Sequence, residues 1–391
     1  MMSDIPPRSE RLVIGFFGRC NVGKSTLINR ITSQDVSVVS DIPGTTTDPV
    51  SKTMELHPLG AVTLIDTPGA DDDSELGKAR IARAAEVLRR TDIAVLVTDG
   101  HITDCERRLV SLFDRYGIPY LTAHNKCDLL NDIPEDGLYV SAAQGMNTDK
   151  LLSLVASLHK GRHRQIISDL VNKDDVVVLC IPVDDAAPRG RLILPQSAVL
   201  RELVEAEVNA VTVRDTMLKG IFDKLSVKPS LVITDSQVFG TAAEATPENV
   251  YLTSFSILMA RYKGFLDIAA NGALTIDRLR DGDRILICEG CTHRRQCADI
   301  GTVKLPRLLE KHTGKSFDYT FTSGGTFPEE LHGFSLIIHC GGCMLNEREV
   351  LYRMTCAAEQ GIPVTNYGTA LAHLNGILPR SLEIFHEHYT Y

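Results

Sequence analysis

Short β-branched, apolar runs alternate along this chain with stretches whose apolar positions recur every three to four residues. LVIGFF, AVTLID, IAVLVTD, PYLTAHN and LYVSA all fall between Leu12 and about residue 160. Such runs read as strands buried in a mainly parallel sheet. STLINRITS and ARIARAAEVLRR, lying between them, show helical spacing, so the first block predicts a doubly wound βαβ unit. The polar stretch LHKGRHRQIISDLVNKDD then reads as a helix end and linker. A second α/β block follows, with VVVLCIPV, AVLRELVEAEV, TMLKGIFDKL, SLVITDSQ and YLTSFSILMARYKGF. NGALTIDRLRDGD marks another boundary, and a third block carries RILICEGC, LPRLLEKH, SLIIHCGGC, REVLYRMTCAAEQ and IPVTN. The prediction is three α/β units spanning 1–165, 170–268 and 272–391.

The length of 391 residues suits two or three domains at ~150 residues each. Hydrophobic residues make up 43% and charged residues 23%, which excludes a largely disordered chain. Forty-one Lys and Arg against fifty Asp and Glu leave a formal charge of −9. No global basic field exists to hold nucleic acid or anionic lipid, so neither is expected as a partner. The N-terminal MMSDIPPRSERLVIGFFG lacks the basic start and apolar stretch of a signal peptide. No apolar run approaches the ~20 residues a membrane helix needs. The expected compartment is the cytoplasm.

Gly18-Arg-Cys-Asn-Val-Gly-Lys-Ser25 fits G-x-x-x-x-G-K-[ST] directly after a strand and before a helix. Gly18 and Gly23 let backbone N–H groups close around a β-phosphate. Lys24 would reach the β/γ oxygens and the Ser25 hydroxyl would ligate Mg²⁺, with Thr26 the next nucleotide-binding position. Asp66-Thr-Pro-Gly69 ends the strand AVTLID, where Asp66 can hold magnesium through water and the Gly69 N–H can meet the γ-phosphate. Asn125-Lys126-Cys-Asp128 ends another strand, and the Asp128 carboxylate can accept two hydrogen bonds that guanine offers and adenine does not. Ser141-Ala142-Ala143 follows a further strand, where a backbone amide can meet guanine O6. Each short element alone is weak evidence, but all four at strand ends predict a P-loop GTP site and GTP hydrolysis to GDP and phosphate.

GxxNxGKS, Gly44-Thr-Thr-Thr-Asp48, DTPG, NKCD and SAA together resemble the TrmE–Era branch of translation-factor-class GTPases over residues 10–160. The resemblance implies that Thr46 is the switch threonine closing on Mg²⁺, with Thr45 and Thr47 as alternatives. It also implies a role for Asn21, as a K⁺ ligand beside the phosphates, where a monovalent cation neutralises developing charge as an arginine finger does. The plainer alternative for Asn21 is a loop hydrogen bond. After DTPG stands Ala70, which has no group to orient water, so hydrolysis should be slow without K⁺, a partner or an acidic switch residue. Asp71-Asp72-Asp73-Ser74-Glu75 offers such residues, although a solvated acidic loop is the simpler reading.

Ten cysteines in a chain of this length and compartment point to buried thiols, metal ligands or redox chemistry. Cys20, Cys105, Cys127, Cys180 and Cys356 stand alone and read as buried or incidental thiols. Cys291-Thr-His293 and His339-Cys340-Gly-Gly-Cys343 each follow a buried strand, which places thiolates at the carboxyl edge of a parallel sheet. Thiolates at this spacing favour zinc or an iron–sulfur cluster. One reading is a four-thiolate zinc site of Cys288, Cys291, Cys340 and Cys343. The other uses Cys291, Cys340 and Cys343 as three cluster ligands and leaves the fourth iron to an exchangeable ligand, with His293 and His339 nearby. Cys288 sits beside the strand and suits burial, and Cys297 in THRRQC reads as a non-ligand.

CxH…HCxxC behind this GTPase, with IPVDDAAPRGRLILPQ between, resembles the HydF family of [FeFe]-hydrogenase maturation GTPases over essentially the whole chain. That resemblance implies a GTPase domain, a dimerisation domain giving a homodimer, and a domain binding a [4Fe–4S] cluster through the three cysteines. It further implies a scaffold or carrier for a transient diiron precursor, made with two radical-SAM maturases and passed to apo-[FeFe]-hydrogenase. Two other readings stand beside it: a ribosome- or RNA-linked assembly GTPase with a structural zinc domain, and a redox sensor in which the cluster biases the switch.

Overall fold

A computed structural model describes residues 11–33, 51–69, 83–100, 102–159, 164–183, 192–290 and 300–385. Thr46, Ala70, the acidic run 71–75, Cys291, His293 and Cys297 lie outside the described residues. The chain divides into two compact units, one of 1–162 with 346–352, the other of 163–345 with 353–391.

In the first unit, β1 (Leu12–Phe17), β2 (Ser51–Leu56), β3 (Gly60–Asp66), β4 (Ile93–Thr98), β5 (Tyr120–His124) and β6 (Leu138–Tyr139) form one sheet in the order β2-β3-β1-β4-β5-β6. β1 pairs in parallel with β3 and β4, from Leu12 opposite Val62 and Ile14 opposite Ile93. β2 pairs antiparallel with β3. The two-residue period of the central strands sorts their side chains onto two faces. Ile14, Phe16, Leu64, Val95 and Val97 pack with Leu27, Ile31, Leu151 and Val155 of the helices Lys24–Ser33 and Thr148–Leu158. Val13, Phe17, Ile65, Ala94 and Leu96 pack on the opposite face with Val87, Leu88, Leu109 and Phe113. The expected mainly parallel P-loop sheet is present.

The second unit holds two four-stranded parallel sheets. β7 (Val176–Cys180), β8 (Asn209–Val213), β9 (Leu231–Thr234) and β10 (Tyr251–Ser254) run in the order β10-β9-β7-β8. β11 (Arg284–Glu289), β12 (Asp318–Ser323), β13 (Leu336–His339) and β14 (Val364–Asn366) run in the order β12-β11-β13-β14. The linker residues entering this unit are pinned by the Glu202 carboxylate, which accepts the N–H groups of Ile166, Ile167 and Ser168 at 2.9–3.0 Å. The stretch that the sequence reads as a boundary is built into the last domain. Ile276 and Leu279 pack with Ile285, Ile287, Leu305, Leu309 and Ile338. No described helix is long and apolar enough to cross a membrane.

The helix Leu266–Ala273 lies so close to β14 that a Cβ on Gly272 would stand 1.9 Å from the Val364 carbonyl oxygen. Backbone cannot yield as a flexible side chain does. Gly272→Ala should therefore destabilise the chain by on the order of 1–3 kcal/mol, read as a lower urea midpoint. The neighbouring exposed Asn271→Ala should leave that midpoint unchanged.

Candidate functional site

Three backbone facts shape the phosphate loop between β1 and the helix Lys24–Ser33. Gly18, Asn21 and Gly23 hold φ values of 143°, 61° and 95°. A Cβ on Gly18 would meet the Val97 carbonyl oxygen at 2.1 Å, and one on Gly23 would meet Asn125 Nδ2 at 2.2 Å. Only glycine satisfies both the angle and the space at these two positions. Lys24 is buried and its Nζ donates to the carbonyls of Gly18 at 3.0 Å and Arg19 at 2.7 Å. The Ser25 hydroxyl donates to Asp66 Oδ2, while Asp66 Oδ1 is buried without a hydrogen-bond partner. A buried, unmatched carboxylate oxygen beside a serine hydroxyl fits a hard divalent cation, so these two residues would hold Mg²⁺ with the nucleotide. Gly69 approaches the loop closely: a Cβ there would lie 2.4 Å from the Cys20 backbone nitrogen. Asn21, Ser25 and Thr26 are exposed at the mouth of this cradle.

Across the sheet, β5 and β6 deliver the base-side loops. Asn125 is buried and spans them, with Nδ2 donating to the Val22 carbonyl at 2.8 Å and Oδ1 accepting the Ala142 N–H at 3.0 Å. The Ala142 amide, one of the Ser141–Ala143 backbone amides among which a contact to guanine O6 is expected, is thus engaged by Asn125 here. Ser141 is buried and its hydroxyl accepts the Gln144 N–H at 3.1 Å. Lys126 adopts φ 63° and donates to Asp99 Oδ2 at 3.2 Å. Asp128 is half-buried in the short turn Cys127–Leu129 that follows. The sequence reading missed Asp99 and Glu106, which together anchor the phosphate loop. Arg19 donates to Asp99 at 2.6 Å and to the buried Glu106 at 3.1 Å. The signal for Glu106 was its place three residues after Thr103, a capping-box spacing that the structure uses.

The second candidate site lies at the carboxyl ends of β11 and β13. Cys340 Sγ accepts the Gly290 N–H at 3.0 Å and the Gly342 N–H at 3.3 Å. Burial raises the Cys340 thiol above its ordinary value, and those two amides oppose the rise by favouring thiolate. Cys343 is likewise raised by burial, with the Lys263 charge opposing it. Lys263 is buried and donates to the carbonyls of Gly342 and, at 2.8 Å, Leu345, which holds the C-x-x-C turn from its inner side. Gly342 adopts φ 63°, the left-handed conformation that this turn requires. Two thiols, amides aimed at sulfur and a buried cation suit a thiolate-bound metal cluster. Gly290, whose amide meets Cys340, immediately precedes Cys291, which lies outside the described residues.

Cys288 sits inside β11 with its side chain fully buried, and burial pushes its thiol up to about 11. His339 is fully buried. Its Nδ1 faces the Cys340 carbonyl at 2.7 Å and its Nε2 faces Arg353 Nη1 at 3.2 Å. A neutral ring donating from Nδ1 and accepting at Nε2 satisfies both contacts. Burial, and then the Arg353 charge, lower its pKa to about 3. Both ring nitrogens of His339, one of the two histidines offered as a possible fourth ligand, are thus engaged within the protein in this conformation. Arg353, itself fully buried, also donates to the Gly324 carbonyl at 2.8 Å and lies over the Phe327 ring. The sequence reading passed over both Lys263 and Arg353.

Comparison with known proteins places the chain's domains among known families. Residues 13–126 match the family model of a 50S ribosome-binding GTPase. Residues 166–264 match the hydrogen maturase F dimerization domain and 267–384 the hydrogen maturase F tetramerization domain. A GTPase Der of Kosmotoga olearia is 33% identical over 175 residues, 38% of this chain and 39% of the relative. A tRNA modification GTPase MnmE of Nitrosomonas eutropha is 31% identical over 156 residues, 37% of this chain and 34% of the relative. The chain thus spans about two fifths or less of these curated relatives. The crystal structure of Aquifex aeolicus Era bound to GDP and AlF4⁻ aligns with 52% of this chain and 92% of its own, at 17% identity and a TM-score of 0.32.

Fold and motifs together define a P-loop protein with a GTPase domain of the TrmE/Der type, followed by two smaller parallel α/β domains. The two maturase models cover more than half of the 391 residues, and the chain belongs to the hydrogenase maturase HydF family. Those two domain types imply self-association. The model matching the block expected to bind a cluster describes that block as a tetramerization domain.

Asp128→Asn tests the base-side loop. Replacing its carboxylate by an amide removes a charge-assisted pair with guanine, a loss on the order of 1.5–3 kcal/mol or ten- to hundredfold in affinity. GTP affinity should fall and XTP affinity rise. Unchanged GTP binding with no response to XTP would assign Asp128 another role.

Proposed function

We propose that this chain is a GTP-hydrolysing scaffold or carrier that holds a [4Fe–4S] cluster through Cys291, Cys340 and Cys343. It would use that site to assemble or deliver a diiron precursor, received from radical-SAM maturases, to apo-[FeFe]-hydrogenase. The observation that carries this reading is the cradle at Cys340, with two backbone amides aimed at its sulfur, in a chain of the HydF family. The cluster, when bound, supplies an iron site at which cargo can be docked. The protein's part is to stabilise thiolate at Cys340 through the Gly290 and Gly342 amides and to hold the turn through Lys263. Its GTPase half would set the timing, with Lys24 on the phosphates, Ser25, Thr46 and Asp66 around Mg²⁺, Gly69 at the γ-phosphate, and Gly18, Gly23, Thr26, Asn125, Lys126, Asp128, Ser141 and Ala142 lining the nucleotide. His293 remains a candidate for the fourth iron. A homodimer or larger assembly in the cytoplasm fits the two self-association domains. The acidic net charge favours this reading over an RNA-linked GTPase with a structural zinc domain.

Cysteine variants reconstituted anaerobically with iron and sulfide test the carrier reading. Cys291→Ser, Cys340→Ser and Cys343→Ser should each lose most bound iron while GTP hydrolysis persists. Lys24→Ala should keep the cluster and lose nucleotide binding or turnover. Both classes should fail to activate apo-hydrogenase. Cys288→Ser should keep its cluster, because that thiol is packed inside β11. Loss of metal from Cys288→Ser as complete as from Cys291→Ser would instead support four-thiolate zinc.

Asn21 is exposed in the phosphate loop at φ 61°, where its side chain can help to ligate a monovalent cation. Replacing K⁺ by Na⁺ should slow turnover by on the order of tenfold, about 1.4 kcal/mol of transition-state stabilisation. Asn21→Ala should abolish the difference between the salts. Equal rates for the unmodified chain would remove K⁺ from the mechanism and leave GTP binding untouched.

A further inference from the structure

Three metal-ligating side chains that neither candidate site uses converge elsewhere in the last domain. Asp277 lies in the turn Ile276–Arg278, His312 in the last turn of the helix Leu305–Thr313, and His373 in the last turn of the helix Tyr367–Leu374. His312 Nε2 stands 2.8 Å from Asp277 Oδ1, and His373 Nε2 stands 3.1 Å from Asp277 Oδ2. The ligand atoms of all three lie within 4.8 Å of one another, and the two imidazole rings are 5.6 Å apart, tilted by 57°. Both rings turn the same nitrogen toward one carboxylate. Side-chain exposure of 55% for Asp277, 34% for His312 and 13% for His373 leaves an entry path for an ion on the aspartate side.

The position is distinct from the cysteine turn. The two helices follow the carboxyl ends of β11 and β14 and run back along the sheet, so their last turns reach the amino edge. β11 is six residues long, which separates the two edges by roughly 20 Å. Two helix C-termini meeting at one point also favour positive charge there. The His312 contact, strengthened by His373, holds the Asp277 carboxyl below the usual carboxylate range, which keeps it ionised as a ligand.

We propose that Asp277, His312 and His373 form a binding site for a divalent first-row transition-metal ion, separate from the cysteine site. Two imidazole nitrogens and one carboxylate oxygen are a borderline donor set that suits Zn²⁺, Co²⁺ or Fe²⁺ and disfavours Mg²⁺. Ligands ~2.1 Å from a tetrahedral ion stand ~3.4 Å apart. The two contacts to Asp277, now 2.8 and 3.1 Å, would therefore open slightly and the wider separations, within 4.8 Å, would close as the ion replaces the protons now shared. The ion would clip the turn before β11 to two helix ends, leaving one coordination position open to water or to a ligand from another copy of the chain.

Co²⁺ binding to the full chain carrying Cys340→Ser and Cys343→Ser tests the site, because those changes remove thiolates that would compete for the ion. The expected result is one Co²⁺ per chain with visible d–d bands and no thiolate charge-transfer band, displaced by Zn²⁺ and not by Mg²⁺. His312→Gln and His373→Gln each keep a hydrogen-bond donor for Asp277, so they should fold normally while weakening Co²⁺ binding by on the order of a hundredfold or more. Zn²⁺ should raise the Tm of the parent chain and leave that of His373→Gln unmoved. Co²⁺ affinity equal in the parent and in His373→Gln, or no stoichiometric binding at all, would overturn the site and leave Asp277 as a hydrogen-bond partner of two histidines.

Discussion

A parallel strand can be followed by its neighbour only after the chain has crossed back over the sheet, so strand-to-helix turns collect along the carboxyl edge. The turns after β1, β3, β5 and β6 bring Lys24, Asp66, Asn125 and Ala142 to one edge although they are spread over more than a hundred residues. The same constraint puts Gly290 and Cys340 side by side, because β11 and β13 pair in parallel from Ile285 opposite Leu336 to Cys288 opposite His339. The amino edge collects the opposite ends of the helices, and there Asp277, His312 and His373 meet.

Position alone does not make a thiolate. Burial raises both Cys340 and Cys343, which by itself would keep them protonated. The opposing contributions are local: two amides on the Cys340 sulfur and the Lys263 charge near Cys343. Lys263 also consumes two carbonyls of the turn, so a single buried cation both shapes the loop and lowers the cost of negative charge within it. Arg353 repeats the device one layer out, through His339 and the Gly324 carbonyl.

Much of this was legible in the chain itself. The buried strands announced themselves because strands covered on both faces are continuous apolar runs. Those passed over, β2, β8 and β12, are all edge strands. SKTMEL, NAVTV and DYTFTS are part-exposed and lack a continuous apolar run, so their pattern competes poorly with that of a loop. The nucleotide motifs were readable because phosphate and base chemistry demand particular residues at fixed spacings. The supporting cations were not. Arg353 falls between Val350, Met354 and Ala357, on the buried side of its helix, and a lone charge among apolar positions was the available signal. Lys263, just before Gly264, looks like any basic residue at a helix end. Its long-range partners at Gly342 and Leu345 exist only in the fold.

The two sites also differ in how much of their chemistry is already satisfied. At the phosphate loop, Lys24 is held by the carbonyls of Gly18 and Arg19, contacts that an incoming phosphate can replace at little net expense. Asn21, Ser25 and Thr26 face solvent, and one oxygen of Asp66 is unmatched. Such a site suits a ligand that enters and leaves. At the cysteine turn, the Lys263 ammonium and the Arg353 guanidinium are buried and committed to backbone carbonyls, so loosening them would strand charges away from water. That arrangement suits a group that stays. The exchangeable cradle is built from the nucleotide motifs themselves, whereas the commitment of the buried one comes from Lys263 and Arg353, which lie outside the cysteine motif.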